Sequence, residues 1–141
     1  MSQVDVITEL LQGAGMRRTA PRQHLLEQLL KSEHALSHQD LEHNLKGTVD
    51  RVTIYRILSA FEERGVIHKV NDTTGVAKYA LCSSACGEAH HHDEHIHFHC
   101  TQCGKTFCLE ESDFPQVKLP RNFRLERLEV NARGICESCR N

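Results

Sequence analysis

The chain has 141 residues, of which 39% are apolar and 26% charged, a composition typical of one ordinary globular domain or two small ones. Its net charge of −2 gives no overall argument for a nucleic-acid partner. No apolar run approaches the roughly 18–20 residues of a membrane span, and the N-terminus lacks the basic and apolar regions of a signal peptide. We therefore expect a cytoplasmic protein without a membrane partner, in which seven reduced cysteines favour metal ligation over disulfides.

The N-terminal half predicts four short helices. Apolar residues recur at helical spacing from residue 3 to about residue 65, and a first helix is predicted over about 3–12. Thr19, Ser37 and Asp50 each stand where an N-cap is expected. A helix is therefore predicted directly after each of them, and Gly65 is expected to end the last one.

The helix after Asp50 has an apolar face and a polar face. The apolar face holds Ile54, Ile57, Leu58 and Phe61, and the opposite side presents Arg51, Thr53, Tyr55 and Arg56. Two short β-like runs, VIHKV and AKYAL, follow and are joined by the turn-rich NDTTGV. Short helices followed by a hairpin are typical of a winged helix-turn-helix, whose second helix enters the major groove. The polar face is therefore predicted to contact double-stranded DNA.

A local basic cluster precedes the second helix. Arg17, Arg18 and Arg22 lie within the stretch GMRRTAPR. Such a cluster suits the phosphate backbone or the minor groove of DNA. The alternative to a DNA-contacting face is that Arg51 and Arg56 are solvated surface charges on a small helical domain.

Two C-x-x-C pairs mark the C-terminal half. Cys100 and Cys103 form the first pair, and Cys136 and Cys139 form the second after a gap of 32 residues. Four thiolates complete a closed tetrahedral zinc site, and such a site is structural because it has no open position. It would join the two ends of a module of some 40 residues, which is too small to bury a sufficient core alone.

The gap between the two cysteine pairs is expected to contain strands. TFCLEE, the Pro-bounded PQVKLP and FRLERLEVNARGIC have patterns typical of strands around a short connector. Phe123 and Leu125 are predicted to point inward, and Leu128 and Val130 would join them after a break in register. The edges of such strands could pair with a second copy of the chain, which makes a homodimer plausible.

The four cysteines complete the predicted zinc site, so the histidines are available for another role. In HIHFHC the strand period places His95, His97 and His99 on one face, as needed to present several imidazoles to one ion. His68 and Cys82 stand at the two ends of the predicted wing. Nitrogen and sulfur donors suit Zn²⁺ better than hard cations. The alternative is a solvated histidine loop that binds metal only incidentally.

The segments GMRRTAPRQHLLEQLL, VDRVTIYRILSAFEERGVIHKV and HHHDEHIHFHCTQCGKTFCLEE together resemble the ferric uptake regulator family of metal-dependent repressors. The resemblance implies an α+β fold with a winged helix-turn-helix domain over residues 1–82, a histidine-rich hinge over 83–94 and a small α/β dimerisation domain with structural zinc over 95–141. It also implies that metal at the hinge closes the dimer into a DNA-binding shape. The expected partners are thus an operator and a second copy of the chain.

The resemblance assigns roles to individual residues. Tyr55 and Arg56 match family positions on the recognition helix, and Arg17 matches a basic residue that reaches the minor groove. The cysteine of KYALC, together with the histidine of the wing, resembles the zinc uptake regulators. The implied sensing set is His68, Cys82, His95 and His97, with Zn²⁺ as the inducing metal and Fe²⁺ as the alternative.

Several residues depart from the family pattern or stay unassigned. Cys108 stands where the family usually has a carboxylate, and it is a ligand, a redox-sensitive thiol or a buried apolar residue. Cys86, Glu88 or His90 in the long linker could replace one ligand, and His34 lies near a position that bridges the domains in some members. His91 and His92 have no assigned role.

The sequence favours a repressor of metal-uptake genes with no small-molecule substrate. An iron-sensing or peroxide-sensing member of the same family is the first alternative, and a zinc-buffering or metal-delivery protein is the second. An enzyme is not expected, because no H-E-x-x-H or H-x-E…P-C-x-x-C pattern supplies an acid or base beside the ligands.

Overall fold

The computed structural model describes residues 2–70, 74–81, 96–109, 116–126 and 128–140. The N-terminal half combines four helices with a three-stranded sheet in the order β1-β3-β2. Its helices are α1 (Gln3–Gly13), α2 (Ala20–Lys31), α3 (His38–Asn44) and α4 (Arg51–Glu63). Its strands are β1 (Leu36–Ser37), β2 (Ile67–Val70) and β3 (Lys78–Leu81), and both pairings are antiparallel. The hairpin β2–β3 is the wing that the sequence predicts.

Local capping sets where three of these helices begin. The Ser37 hydroxyl accepts from the Asp40 N–H, and the Asp40 carboxylate accepts from the Ser37 N–H, both at 3.0 Å. Thr19 and Asp50 accept in the same way from the backbone N–H three residues on. All three predicted N-caps are thereby confirmed, because each side chain satisfies an N–H that the first turn leaves unpaired.

The apolar faces of the helices meet in one core. Fully buried members include Leu25 and Leu26 of α2, Leu41 of α3 and Phe61 of α4. Ile54, Ile57 and Leu58 of α4 are also buried, so the predicted inner face of this helix is confirmed. Burial of this face against α2 and α3 leaves the opposite face of α4 outward.

A second three-stranded sheet forms the C-terminal half, in the order β5-β4-β6. It consists of β4 (Ile96–Cys100), β5 (Thr106–Leu109) and β6 (Val130–Gly134), followed by the short helix α5 (Glu137–Arg140). β4 pairs antiparallel with β5 and parallel with β6. Gly134 packs closely against the Phe98 ring, since an added Cβ would lie 3.0 Å from it. The predicted α+β class is thus confirmed, with strands on both sides of β4.

One prediction for this half is wrong. Phe123 and Leu125 do not point inward: they are 68% and 50% exposed and lie outside the strands. The reason is that β6 begins only at Val130. The described part of the alternating stretch before it is not paired with β4, so no strand pairing directs its apolar side chains to one face. Within the described residues, no second layer covers these two side chains.

The proposed hinge over 83–94 lies outside the described residues. Among the described helices, none has the length and apolar character that crossing a bilayer requires.

Candidate metal centres and DNA-contacting surface

The four cysteines of the two C-x-x-C pairs converge at one end of the second sheet. Cys100 ends β4 and Cys103 lies in the turn after it, while Cys136 and Cys139 lie before and within α5. Their sulfur atoms all lie within 4.8 Å of one another. The parallel pairing of β4 with β6 produces this convergence, because it brings residue 134 beside Cys100.

Backbone donors and crowding prepare this group for a cation. The N–H groups of Cys103 and Cys136 point at the Cys100 sulfur at 3.5 and 3.4 Å and lower the pKa of that thiol to about 6. The neighbouring Cys136 thiol and burial raise the pKa of Cys139 to about 12. Four thiolates within 4.8 Å of one another repel, so a bound cation is needed to balance their charge.

The spacing of the sulfurs fits zinc. A tetrahedral site with Zn–S bonds of about 2.3 Å has sulfur–sulfur edges of about 3.8 Å. The Cys103 and Cys136 sulfurs are 3.8 Å apart. Four soft thiolates in a closed tetrahedron are typical of structural zinc, so donor type and geometry both fit the predicted ion.

A second group joins the two halves of the chain. It consists of His68 on β2, His97 on β4 and Cys108 on β5, whose donor atoms also lie within 4.8 Å of one another. The Cys108 sulfur lies 3.7 Å from His68 Nε2, and the two imidazoles are nearly parallel with centroids 6.1 Å apart. His97 and Cys108 face each other across the β4–β5 ladder. Both histidines are buried, at 5% and 8% exposure.

The structure therefore brings together two of the four predicted sensing residues, His68 and His97, and adds Cys108. Cys82 and His95 lie outside the described residues. The sequence singled out Cys108 as a departure from the family pattern, with a ligand role as one of three interpretations. Its proximity to the histidines follows from the β4–β5 register, which the sequence did not reveal.

Two further histidines lie near this group without joining it in the described part of the chain. His34 packs edge-on against Phe107, with ring centroids 6.3 Å apart. Burial, and secondarily the positive charge of Lys105, lowers its pKa. His99 is buried, and its Nδ1 lies 3.0 Å from the Thr106 hydroxyl.

The outer face of α4 carries the predicted DNA contacts. Tyr55 is 65% exposed, and Arg51 and Arg56 are exposed beside it. Thr53 differs from these three, because its hydroxyl donates to the Asp50 carboxylate and is thereby part of the helix cap. A tyrosine and two arginines on the exposed first turns of a helix can reach base edges and phosphates.

The basic cluster before α2 is locally ordered. Arg22 donates from Nη1 to the Arg17 carbonyl at 2.6 Å, and Arg18 donates from Nε to the Gln23 side chain at 2.9 Å. The Arg17 side chain is exposed. The contacts of Arg22 and Arg18 thus shape the segment that presents Arg17.

A winged helix-turn-helix joined to a small sheet with a four-cysteine group defines a class of two-part, metal-binding, DNA-binding proteins. The family model "Ferric uptake regulator family" matches residues 13–133. The ferric uptake regulation protein of Bordetella parapertussis is 31% identical over 137 residues, which cover 92% of this chain and 93% of that protein. The chain belongs to the ferric uptake regulator family. It is thus a metal-responsive transcription regulator and not an enzyme.

Solved structures show the same fold. A zinc uptake regulator complexed with zinc and DNA superposes with a TM-score of 0.68 at 21% identity, covering 99% of this chain and 95% of that one. The Vibrio cholerae ferric uptake regulator superposes with a TM-score of 0.61 at 21% identity, covering 91% of this chain and 98% of that one. These likenesses support the predicted winged helix.

Proposed function

We propose that this protein is a homodimeric repressor of metal-uptake genes that senses zinc at the junction of its two halves. The observation that carries the proposal is the group of His68, His97 and Cys108, which draws one ligand from the wing and two from the second sheet. Cys82 and His95 are proposed as further ligands, since they immediately follow β3 and precede β4. The division into residues 1–82, 83–94 and 95–141 is part of the same proposal.

The donor set supports zinc over iron. Two imidazoles and a thiolate are borderline-to-soft ligands that suit Zn²⁺, whereas carboxylates suit harder cations. The relatives named ferric uptake regulation proteins keep Fe²⁺ as the alternative. The closed four-cysteine group is proposed to hold structural Zn²⁺ and to take no part in sensing.

Coupling to DNA follows from where the ligands lie. His68 belongs to the wing of the DNA-binding half, while His97 and Cys108 belong to the second sheet. An ion that binds all three has a higher affinity for the arrangement in which the halves are close. By linkage, the same arrangement is then the one that binds the operator more tightly. Tyr55 and Arg56 are proposed to contact bases, and Arg51 and Arg17 the phosphates and the minor groove.

The central test is a zinc titration of operator binding. A DNA site is first selected from random duplexes with zinc-loaded protein. The affinity for this site is then measured while a mild chelator removes the ion bound by His68, His97 and Cys108, which we call the hinge ion. The structural zinc, one per chain, stays in place. We expect binding to weaken as the hinge ion leaves and to recover when zinc is returned. Operator affinity that does not respond would contradict the proposal. Hinge zinc binding without any salt-dependent DNA binding would favour a metal-buffering protein.

Arg56→Ala tests the recognition helix. Loss of one arginine contact to a base or phosphate is expected to weaken operator binding by about 1–3 kcal/mol, which is about 5-fold to 150-fold. Relaxed selectivity at one base position would indicate a base contact, and a smaller salt dependence would indicate a phosphate contact. The measurement is a salt series with the selected site and its single-base variants.

The matched control for charge is Lys31→Ala, an exposed cation at the end of α2. It is expected to leave affinity within about twofold, because it lies on another helix. If Arg56→Ala behaved like this control, the recognition-helix assignment would be wrong.

A further inference from the structure

A cluster of hydrogen bonds joins the two sheets at Thr106, the first residue of β5. The Ala35 N–H donates to the Thr106 carbonyl at 2.7 Å. The Lys78 ammonium donates to the Thr106 hydroxyl at 3.1 Å and to the Gly104 carbonyl at 3.2 Å. The hydroxyl also contacts His99 Nδ1, and Thr106 is fully buried. The backbone and the side chain of one residue therefore bind two separate segments of the DNA-binding half.

Both donors of the DNA-binding half belong to the paired strands β1 and β3 or directly adjoin them. Ala35 directly precedes β1, and Lys78 begins β3, where it pairs with Ser37 of β1. Two residues after Lys78 on β3, Ala80 pairs with His68 of β2. A contact at Lys78 therefore fixes the wing strand next to the one that carries the hinge histidine.

On the other side, Thr106 lies two residues before Cys108 on β5 and pairs with His99 on β4. Its neighbours along both strands are thus the proposed ligands Cys108 and His97. The hydrogen bonds at Thr106 therefore link the sheet of the wing to β5. The separation of these two segments sets the distance between His68 and the other two proposed ligands.

We propose that Thr106 and Lys78 form an interdomain latch that positions the wing for metal binding at the hinge. The term denotes the contacts of Thr106 with Ala35 and Lys78. Neither side chain is a metal ligand. The latch acts by holding the ligands close, which lowers the free energy needed to bring them together when the ion binds. The inference rests on the proposed function, because it assigns a role within the same hinge site.

The chemistry of the latch explains why it should matter. Lys78 donates a charge-assisted hydrogen bond to a buried hydroxyl, a type of contact roughly twice as strong as a neutral one. Removal of the hydroxyl deprives the half-buried Lys78 ammonium of one hydrogen-bond acceptor, which is unfavourable because water replaces that acceptor only in part. Because ligand-orienting contacts outside the ligand shell typically change metal affinity 10-fold to 100-fold, we expect a loss of about tenfold.

The test compares Thr106→Val, which has the same shape without the hydroxyl, with Thr106→Ser, which keeps it. Lys78→Met is compared with Lys69→Met, an exposed lysine on the other wing strand. Hinge zinc affinity is measured on the full-length protein by competition with a chromophoric chelator, with the structural zinc in place. Thr106→Val and Lys78→Met are expected to weaken it about tenfold, whereas Thr106→Ser and Lys69→Met are expected to leave it unchanged.

Two further readouts separate positioning from a general loss of structure. The zinc concentration for half-maximal operator binding should rise about tenfold in Thr106→Val, while operator affinity at saturating zinc stays at the wild-type value. The double variant should lose clearly less zinc affinity than the sum of the two single losses, because both substitutions remove the hydrogen bond between Lys78 and Thr106. Equal losses in Thr106→Val and Thr106→Ser would overturn the proposal, as would wild-type zinc affinity in Lys78→Met. If Thr106→Val does not fold, the Lys78 and Lys69 pair decides the question alone.

Failure of the latch and failure of the sensing proposal give different results. If wild-type operator binding ignores hinge zinc, the proposed function is wrong. If wild-type binding depends on zinc and the zinc midpoints of Thr106→Val and Lys78→Met do not move, the latch alone is wrong.

Discussion

Cys136→Ser is expected to abolish the ordered C-terminal half. The module that runs from the first cysteine pair to the second has some 40 residues, both pairs included. Its described part includes exposed apolar side chains such as Phe123. Apparent zinc-binding free energies of about 10–16 kcal/mol in small zinc modules are folding free energy, and a lost thiolate removes a large share of that. We therefore expect loss of the structural zinc and of the cooperative unfolding of this half.

The measurement combines metal content per chain with limited proteolysis and thermal unfolding. The helices around Phe61 bury their own core, so the N-terminal half should retain its helical circular dichroism. Cys108→Ser is the matched control, since it also removes one thiol but leaves the four-cysteine group intact. A Cys136→Ser protein that lacks this zinc yet resists protease like the wild type would show that the site is not structural.

Cys108→Ser is expected to lower hinge zinc affinity by at least about 100-fold, because it removes a thiolate from a group of three described donors. Zinc-dependent operator binding should be lost at zinc concentrations that saturate the wild type. In protein that keeps its structural zinc, Co²⁺ at the hinge should show a thiolate-to-metal charge-transfer band in the near ultraviolet, and this band should weaken or disappear in the variant.

Cys108→Asp sharpens the same test. An aspartate supplies a hard oxygen donor at this position, so it should restore metal-dependent DNA binding with a preference shifted from Zn²⁺ toward Fe²⁺ or Mn²⁺. The ratio of zinc to iron affinity, measured by anaerobic competition, reports the shift. Unchanged affinities and an unchanged Co²⁺ spectrum in both variants would contradict a ligand role for Cys108 and leave it as a half-buried thiol.

Local sequence determined where the helices of the N-terminal half begin. The caps at Thr19, Ser37 and Asp50 act over three residues, and each lies where the sequence predicted it. Such contacts are complete within one helical turn, so no distant residue is needed to predict them. The same holds for each C-x-x-C pair, whose two thiols come together within a single turn.

Three features were decided by the tertiary structure alone, and each depends on how strands that are distant in sequence pair or approach one another. The position of Cys108 beside His68 and His97 follows from the pairing of β4 with β5 and from the approach of the wing. The exposure of Phe123 follows from the late start of β6. The Thr106 latch likewise joins β5 to segments 28 and more residues away.

By itself, the sequence of this protein determined the winged helix, the four-cysteine group and the family resemblance, because capping, periodicity and short ligand spacings are local properties. The composition of the hinge group and the contacts that hold the halves together were decided by the fold, because a shift of one residue in strand pairing turns every side chain to the other face.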